Sequence, residues 1–467
     1  MSTEHRSVRR WVVRGTATAV AVVVAAGAVT AAHAIGTESP AVRPAGRLVT
    51  PVPADAERVC AGSALRLSDE SGNDATTAST VGSSEVATGT TGSTVDRSTL
   101  RASTTGGSDP QLLTAPAGDS TPQVAGSTSQ SVSSGDLVGF GAASCDDPTQ
   151  STWLVGGSTE TGRTSLITLS NPTDVNATVD LDVYDASGTV QAPGTTGIVV
   201  APNTQKVVPL SGFVSDQGST VVHVTSSGGQ IVAHMQESIV RTLTPGGYDV
   251  VSGGAAPSRT QVIPAVVLQG AEEAQRGDDS EDAAPVLRLF VPGDRAARVT
   301  VGITTADGGG STVNATAEAG VVTDVALDDF PDGRYSFTVT STEPLVAGAR
   351  TTKPTDDGRS DLGWFASAEP LGDRVVTAVA PGGGARTNLV NPTRSDATVT
   401  ITSGDREQEV DVASGSTATV QVPVSTQLVI KGAEGLVAGV SYDADDGIGG
   451  FPVRPATEVS TPVRVYP

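Results

Sequence analysis

The chain has 467 residues, 37% apolar but only 3% aromatic, with 51 acidic against 29 basic side chains and a formal charge of -22. Such a length is a prior for about three to four domains, whose cores must be built from Val, Leu, Ile and Ala. The acidic field repels nucleic-acid phosphates and anionic headgroups, so nucleic acid is excluded as a partner and membrane contact is confined to the basic N-terminus.

Arg6, Arg9, Arg10 and Arg14 precede an uncharged segment, 15–32, and Ala32-His33-Ala34 supplies small residues around a cleavage point. Residues 1–34 therefore read as an export segment. Its apolar run approaches the roughly 20 residues that span a bilayer, so a cleaved signal and a retained anchor with its positive end inside both fit. A Pro-rich linker follows over 35–59. Cys60 and Cys145, the chain's two cysteines, then bracket a Ser, Thr and Gly-rich region, 60–150. In an exported chain the two are expected to form one disulfide. Apolar residues between them are scattered (Leu65, Leu67, Val81, Val95, Leu112, Leu113, Val138), a composition that suits disorder as well as an irregular β region. The β region is expected, because a disulfide joining the ends has little purpose around a random coil.

From residue 151 onward the chain repeats itself. Asn171-Pro172-Thr173 through Ala177, Val179 and Leu181 recurs without a gap as Asn391-Pro392-Thr393 through Ala397, Val399 and Ile401. A weaker copy runs from Val291-Pro292 through Ala297, Val299 and Val301. A second landmark, 337–348, aligns with 428–439 and with 222–234, and a turn in its middle reads as a β-hairpin. Three units result, 151–258, 259–372 and 373–467, each with six or seven short alternating strands. The expected fold is all-β: tandem immunoglobulin-like β-sandwich repeats that behave as separate modules, although the Cys...Trp...Cys hallmark of antibody domains is missing. The acidic insertion 272–282 reads as a solvated loop. Proline after Asn ends a strand and Asn bonds back to nearby backbone, so the recurring pair reads as structural.

Catalytic chemistry finds little support. Of four histidines, only His223 and His234 belong to the folded part, and no Cys/His metal spacing or His-Glu-x-x-His pattern occurs. No Gly-x-Ser-x-Gly elbow occurs either, and serines are so abundant that a Ser, His and Asp set has meaning only with spatial support. Asp443-Ala444-Asp445-Asp446-Gly447 reads as an acidic turn, since the distal Glu of a calcium loop is absent. No catalytic, cofactor or metal residue is assigned, and no cofactor is expected.

Cys145-Asp146-Asp147-Pro148 before Trp153-Leu154-Val155-Gly156-Gly157, then Leu169-Ser170-Asn171-Pro172 and alternating strands, all behind an export segment, resemble the actinobacterial exported proteins grouped as the domain of unknown function 5719 family. The resemblance implies an envelope setting and brings no catalytic residues. The expected function is a non-enzymatic scaffold or interaction protein of the cell envelope or exterior, its partner an envelope protein or glycan. A glycan-binding module is the alternative, requiring Trp153, Trp364 or Tyr248 on an exposed groove. A glycoside hydrolase comes third, requiring convergent carboxylates in a cleft.

Overall fold

A computed structural model describes residues 47–49, 53–67, 77–106, 109–270, 284–306, 308–327, 330–355, 357–445, 447–456 and 463–465. Residues 1–34, read above as an export segment, and 272–282, read as a solvated loop, lie outside them. Arg47–Val49 and Val463–Val465 form a two-stranded antiparallel ladder of their own. The described residues from 53 to 456 form one compact body, all-β apart from a single turn of 3-10 helix at Leu210–Gly212.

The alternation read in the sequence is the alternation of burial. Along Ala177–Asp185, Ala177, Val179, Leu181 and Val183 are buried while Thr178 and Asp182 are exposed. Val299 and Val399 are buried in the corresponding strands, as expected from the repeat. Asn171 donates through Nδ2 to the carbonyls of Val175 and Val200 and accepts at Oδ1 from Thr173. Asn391 does the same with Ser395, Val412 and Thr393. The side chain thus supplies bonds to the corner where proline has ended the ladder.

One pairing order recurs three times. In the first unit Ser151–Val155, Thr220–Gly228, Ala177–Asp185 and Ile198–Val200 make one sheet, in that order. Thr244–Val251, Val232–Arg241, Arg163–Asn171 and Thr204–Pro209 make the other. A single apolar cluster draws on both sheets, with Leu154, Val179 and Val222 on one side and Ile167, Leu169 and Met235 on the other. The second and third units repeat this order around their own cores. The second landmark, however, is not a hairpin. Thr220–Gly228 pairs in one sheet and Val232–Arg241 in the other, and in the second unit both halves belong to one 22-residue strand, Gly333–Pro354, that passes from sheet to sheet. Both halves alternate and both face the same core, so a strand that changes sheets satisfies the pattern as well as a hairpin does.

Cys60 and Cys145 are bonded and buried. The region they bracket is ordered in its described parts: Val124–Ser134 pairs with Leu137–Ser144 and Glu85–Thr90, and Gln111–Ala115 with Asp96–Thr99 and Ala56–Val59. Its serines serve as buried donors. Ser127 and Ser129 give their hydroxyls to the carbonyls of Ala378 and Pro381 in the third unit, which accounts for order in a composition that suits disorder.

The units are not separate modules. Asp361, on Ser360–Ala366 of the second unit and 1% exposed, accepts the amides of Phe140, Tyr248 and Ile448 at 3.1, 3.3 and 3.0 Å. Those donors lie on Leu137–Ser144, on Thr244–Val251 of the first unit and on Gly447–Pro452 of the third. Asp249 accepts the amides of Ala142 and Trp364 in the same way. A Cβ on Gly447 would stand 2.1 Å from Asp361 Oδ2, so glycine permits the approach. Arg288, fully buried, bolts the second unit to the first: it pairs with Asp324, donates to the carbonyls of Gly157 and Thr220 and lies over the Trp364 ring.

Two outcomes follow. Val179→Asp buries an unpartnered carboxylate and should cost several kcal/mol, whereas Thr178→Asp on the outer face should be nearly silent. Equal losses in urea unfolding would contradict the register. Asp361→Ala leaves the buried amides of Phe140, Tyr248 and Ile448, which come from other segments, without their acceptor, each worth about 1–3 kcal/mol, and should lower the midpoint of one transition shared by all three units. Separable transitions in the wild-type chain would contradict the interlock.

Candidate functional site

A buried polar cluster lies where the ends of the compact body meet. Arg58 lies on the strand Ala56–Val59, Asp146 and Asp147 follow the disulfide, and Arg454 follows Gly447–Pro452. Arg454 grips Asp146 with two bonds of 2.7 Å and donates to the Gly253 carbonyl. Arg58, 3% exposed, pairs with Asp147 and donates to the carbonyls of Val124 and Pro455. His234 is buried, with Nε2 3.1 Å from the Ser144 carbonyl and 3.6 Å from Asp146. Donation to that carbonyl places the proton on Nε2.

Burial sets the electrostatics first and partners then oppose it. Burial pushes the Asp146 carboxyl up, but Arg454, His234 and the Ser144 hydroxyl outweigh it and hold the group below the usual carboxylate range. Burial pulls His234 below the ordinary imidazole value against the pull of Asp146, and Arg58 is lowered by burial against Asp147 and Asp146. Both guanidiniums are engaged within the protein, so the cluster acts as a clasp. Beside it opens a cavity of about 230 Å³, walled by the clasp and by Thr149, Ser151, Thr152 and Glu369.

A second constellation adjoins that wall. Ser151 Oγ is 2.9 Å from His223 Nε2, and His223 Nδ1 is 3.6 Å from Asp182 Oδ2. Strand register makes the row: Asp182 and Trp153 flank His223 directly on neighbouring strands, and Ser151 lies two residues before Trp153 on the same face. The His223 ring stacks on Trp153 at 4.1 Å and 8°. Burial lowers its pKa, with Asp182 acting in the opposite direction.

The other sequence candidates fall apart. Trp364 and Tyr248 are 2% and 1% exposed and Trp153 is 7%, so these three offer no stacking platform in a groove. Asp443 of the acidic turn is paired with Lys353 and Arg334. Among the described residues no group of His, Cys, Asp or Glu could hold a metal ion, and no helix is long and apolar enough to cross a membrane. His223 and His234 lie in different sheets, as partners of Trp153 and Thr168. Buried Asp361, pushed well above the ordinary carboxylate range by burial while four amides pull the other way, has both oxygens occupied. Sequence reasoning missed Arg58, Arg454 and Asp361. The one local signal, glycine-rich strands around 246–247 and 447–450, marks close packing without naming what approaches.

His234 gives a test of the clasp. Its folded pKa lies below the unfolded value, so its contribution is complete above the unfolded pKa and is lost as pH falls from there through the folded pKa. Between about pH 7 and pH 5 the thermal midpoint of wild type should fall more steeply than that of His234→Asn. Parallel slopes would show that the ring is protonated without cost.

Among solved structures the chain is similar to the FN1–FN3 domains of chicken CNTN1, at 9% identity over 66% of this chain and 99% of that one. The TM-score is 0.10, which carries no argument about fold or function. No curated protein sequence matches the chain. The profile of DUF5719, a family of unknown function, matches residues 100–423, from the middle of the disulfide-bracketed region into the third repeat. With well over half its length matched, the chain belongs to the DUF5719 family.

Proposed function

We propose that the protein is an exported scaffold or interaction protein of an actinobacterial cell envelope, built from three tandem immunoglobulin-like β-sandwiches held as one rigid body. The observation that carries this reading is the convergence on Asp361 of amides from the disulfide-bracketed region and from the first and third repeats. A hinge between modules would expose those amides, so the arrangement favours a fixed spacing of surfaces. Export is supported by the basic and apolar N-terminal segment and by a buried disulfide, a bond that persists in oxidising compartments.

The outward tips are natural points of contact. Leu243, 90% exposed, crowns the turn between Val232–Arg241 and Thr244–Val251, and Val175 and Val199 are exposed on the first repeat. A photo-crosslinking residue at each of these positions, activated in intact cells, should give discrete adducts containing an envelope protein or glycan. Retention of the chain inside the cytoplasm with reduced cysteines, or absence of adducts at all three positions, would refute the reading.

A further inference from the structure

A reactive group on this frame stands independently of the scaffold role. Polar residues on an outer sheet face are ordinary. Ser151 differs, because three adjacent strands bring its hydroxyl, an imidazole and a carboxylate into one line. His223 Nε2 and the Ser151 hydroxyl are 2.9 Å apart, and Asp182 faces Nδ1 at 3.6 Å. A carboxylate on the Nδ1 side favours the proton there and leaves Nε2 as the base, the division of labour found in serine nucleophile sites. The remaining gap to Asp182 is one side-chain adjustment from a hydrogen bond, and such bonds are commonly long before substrate binds. Trp153 under the imidazole holds the ring plane. The ring is neutral in the neutral range because burial lowers its pKa.

We propose that Ser151 is a nucleophile, activated by His223 and oriented by Asp182, which accepts the acyl group of a short-chain ester carried by a polyhydroxyl compound. The substrate class comes from the cavity that Ser151 helps to wall. Its volume of about 230 Å³ is below the roughly 300–1,000 Å³ of sites for drug-sized ligands, with room for one sugar-sized ring. Its wall sets Arg454, Asp146, Asp147, Glu369 and the hydroxyls of Thr149 and Thr152 among Val232, Ala233 and Pro455. The volume holds one ring with a short acyl group, and the hydroxyls of such a ring meet Glu369 and the hydroxyls of Thr149 and Thr152.

In the reaction the Oγ–C bond forms as the hydroxyl proton passes to His223 Nε2. The ester C–O bond then breaks, and the departing alcohol takes that proton. Water, deprotonated by the same nitrogen, attacks the acyl-serine and releases a carboxylic acid and the free serine. No oxidant, reductant or metal enters the balance.

The disulfide-bonded full chain is to be treated with a fluorophosphonate, which phosphonylates an activated serine with loss of fluoride, and separately with p-nitrophenyl acetate. The expected result is a single adduct on the peptide containing Ser151, absent from Ser151→Ala. His223→Asn should slow labelling by about 100-fold or more, the scale of a lost general base, and the wild-type rate should fall as pH drops through the lowered His223 pKa. Should His223→Asn fail to fold, Asp182→Asn changes only a half-exposed carboxylate and must also slow labelling. No adduct, an adduct on another serine, or equal rates in wild type and the folded His223 or Asp182 variant would overturn the proposal. Because Ser151 is exposed, its Ala variant should keep the envelope crosslinks, which separates this inference from the scaffold reading.

Discussion

The body from 53 to 456 depends on one carboxylate sealed from water. An ionisable group in an apolar interior is tolerated only when hydrogen bonds replace its hydration, and Asp361 meets that condition by drawing main-chain amides from other segments. The donors lie on strands far apart in sequence, so the group is satisfied only when all of them are in place. That makes it a check on assembly as much as a contributor to stability. The glycines opposite, above all Gly447, are part of the same constraint, since a side chain at that position would occupy the space of the carboxylate.

A second polar tie closes the body. The disulfide fixes Cys145 beside Cys60, and the residues on either side of it, Arg58 and Asp146-Asp147, reach each other and Arg454. The region between the cysteines therefore sits among the repeats, and its strand Leu137–Ser144 supplies amides to both Asp361 and Asp249. Serine and threonine suit this position. Each buried hydroxyl can meet a carbonyl of a neighbouring unit without bringing a charge.

The parts of the fold legible in the sequence are those governed by local rules. Alternation located the strands of each repeat, the Asn-Pro pairs marked their corners, and the shared Ala and Val positions face the cores. What stayed hidden is how strands pair beyond their neighbours. Alternation says which face of a strand is buried and nothing about which sheet it joins, so 222–234 read as a hairpin although its two halves lie in opposite sheets. The same limit hid the interlock. Asp361 and Asp249 look like any surface aspartates in sequence, because their burial is produced by strands from other units. Length and rhythm suggested separate modules for the same reason, since polar ties between units leave no periodic trace.

The candidate site was illegible on similar grounds, with one instructive difference. A catalytic elbow is a local structure and leaves a local motif, but a row across a sheet is made by register alone. Ser151, Asp182 and His223 are spread over some seventy residues with no common spacing. They meet because Trp153 and Asp182 both pair with His223, from opposite sides. A shift of one residue in either pairing would turn a member of the row into the core. The buried alternation that fixes each strand's face, Leu154 and Leu181 inward with Trp153 and Asp182 outward, therefore also holds the row together. In this protein the packing of the core and the placement of the reactive serine are consequences of the same register.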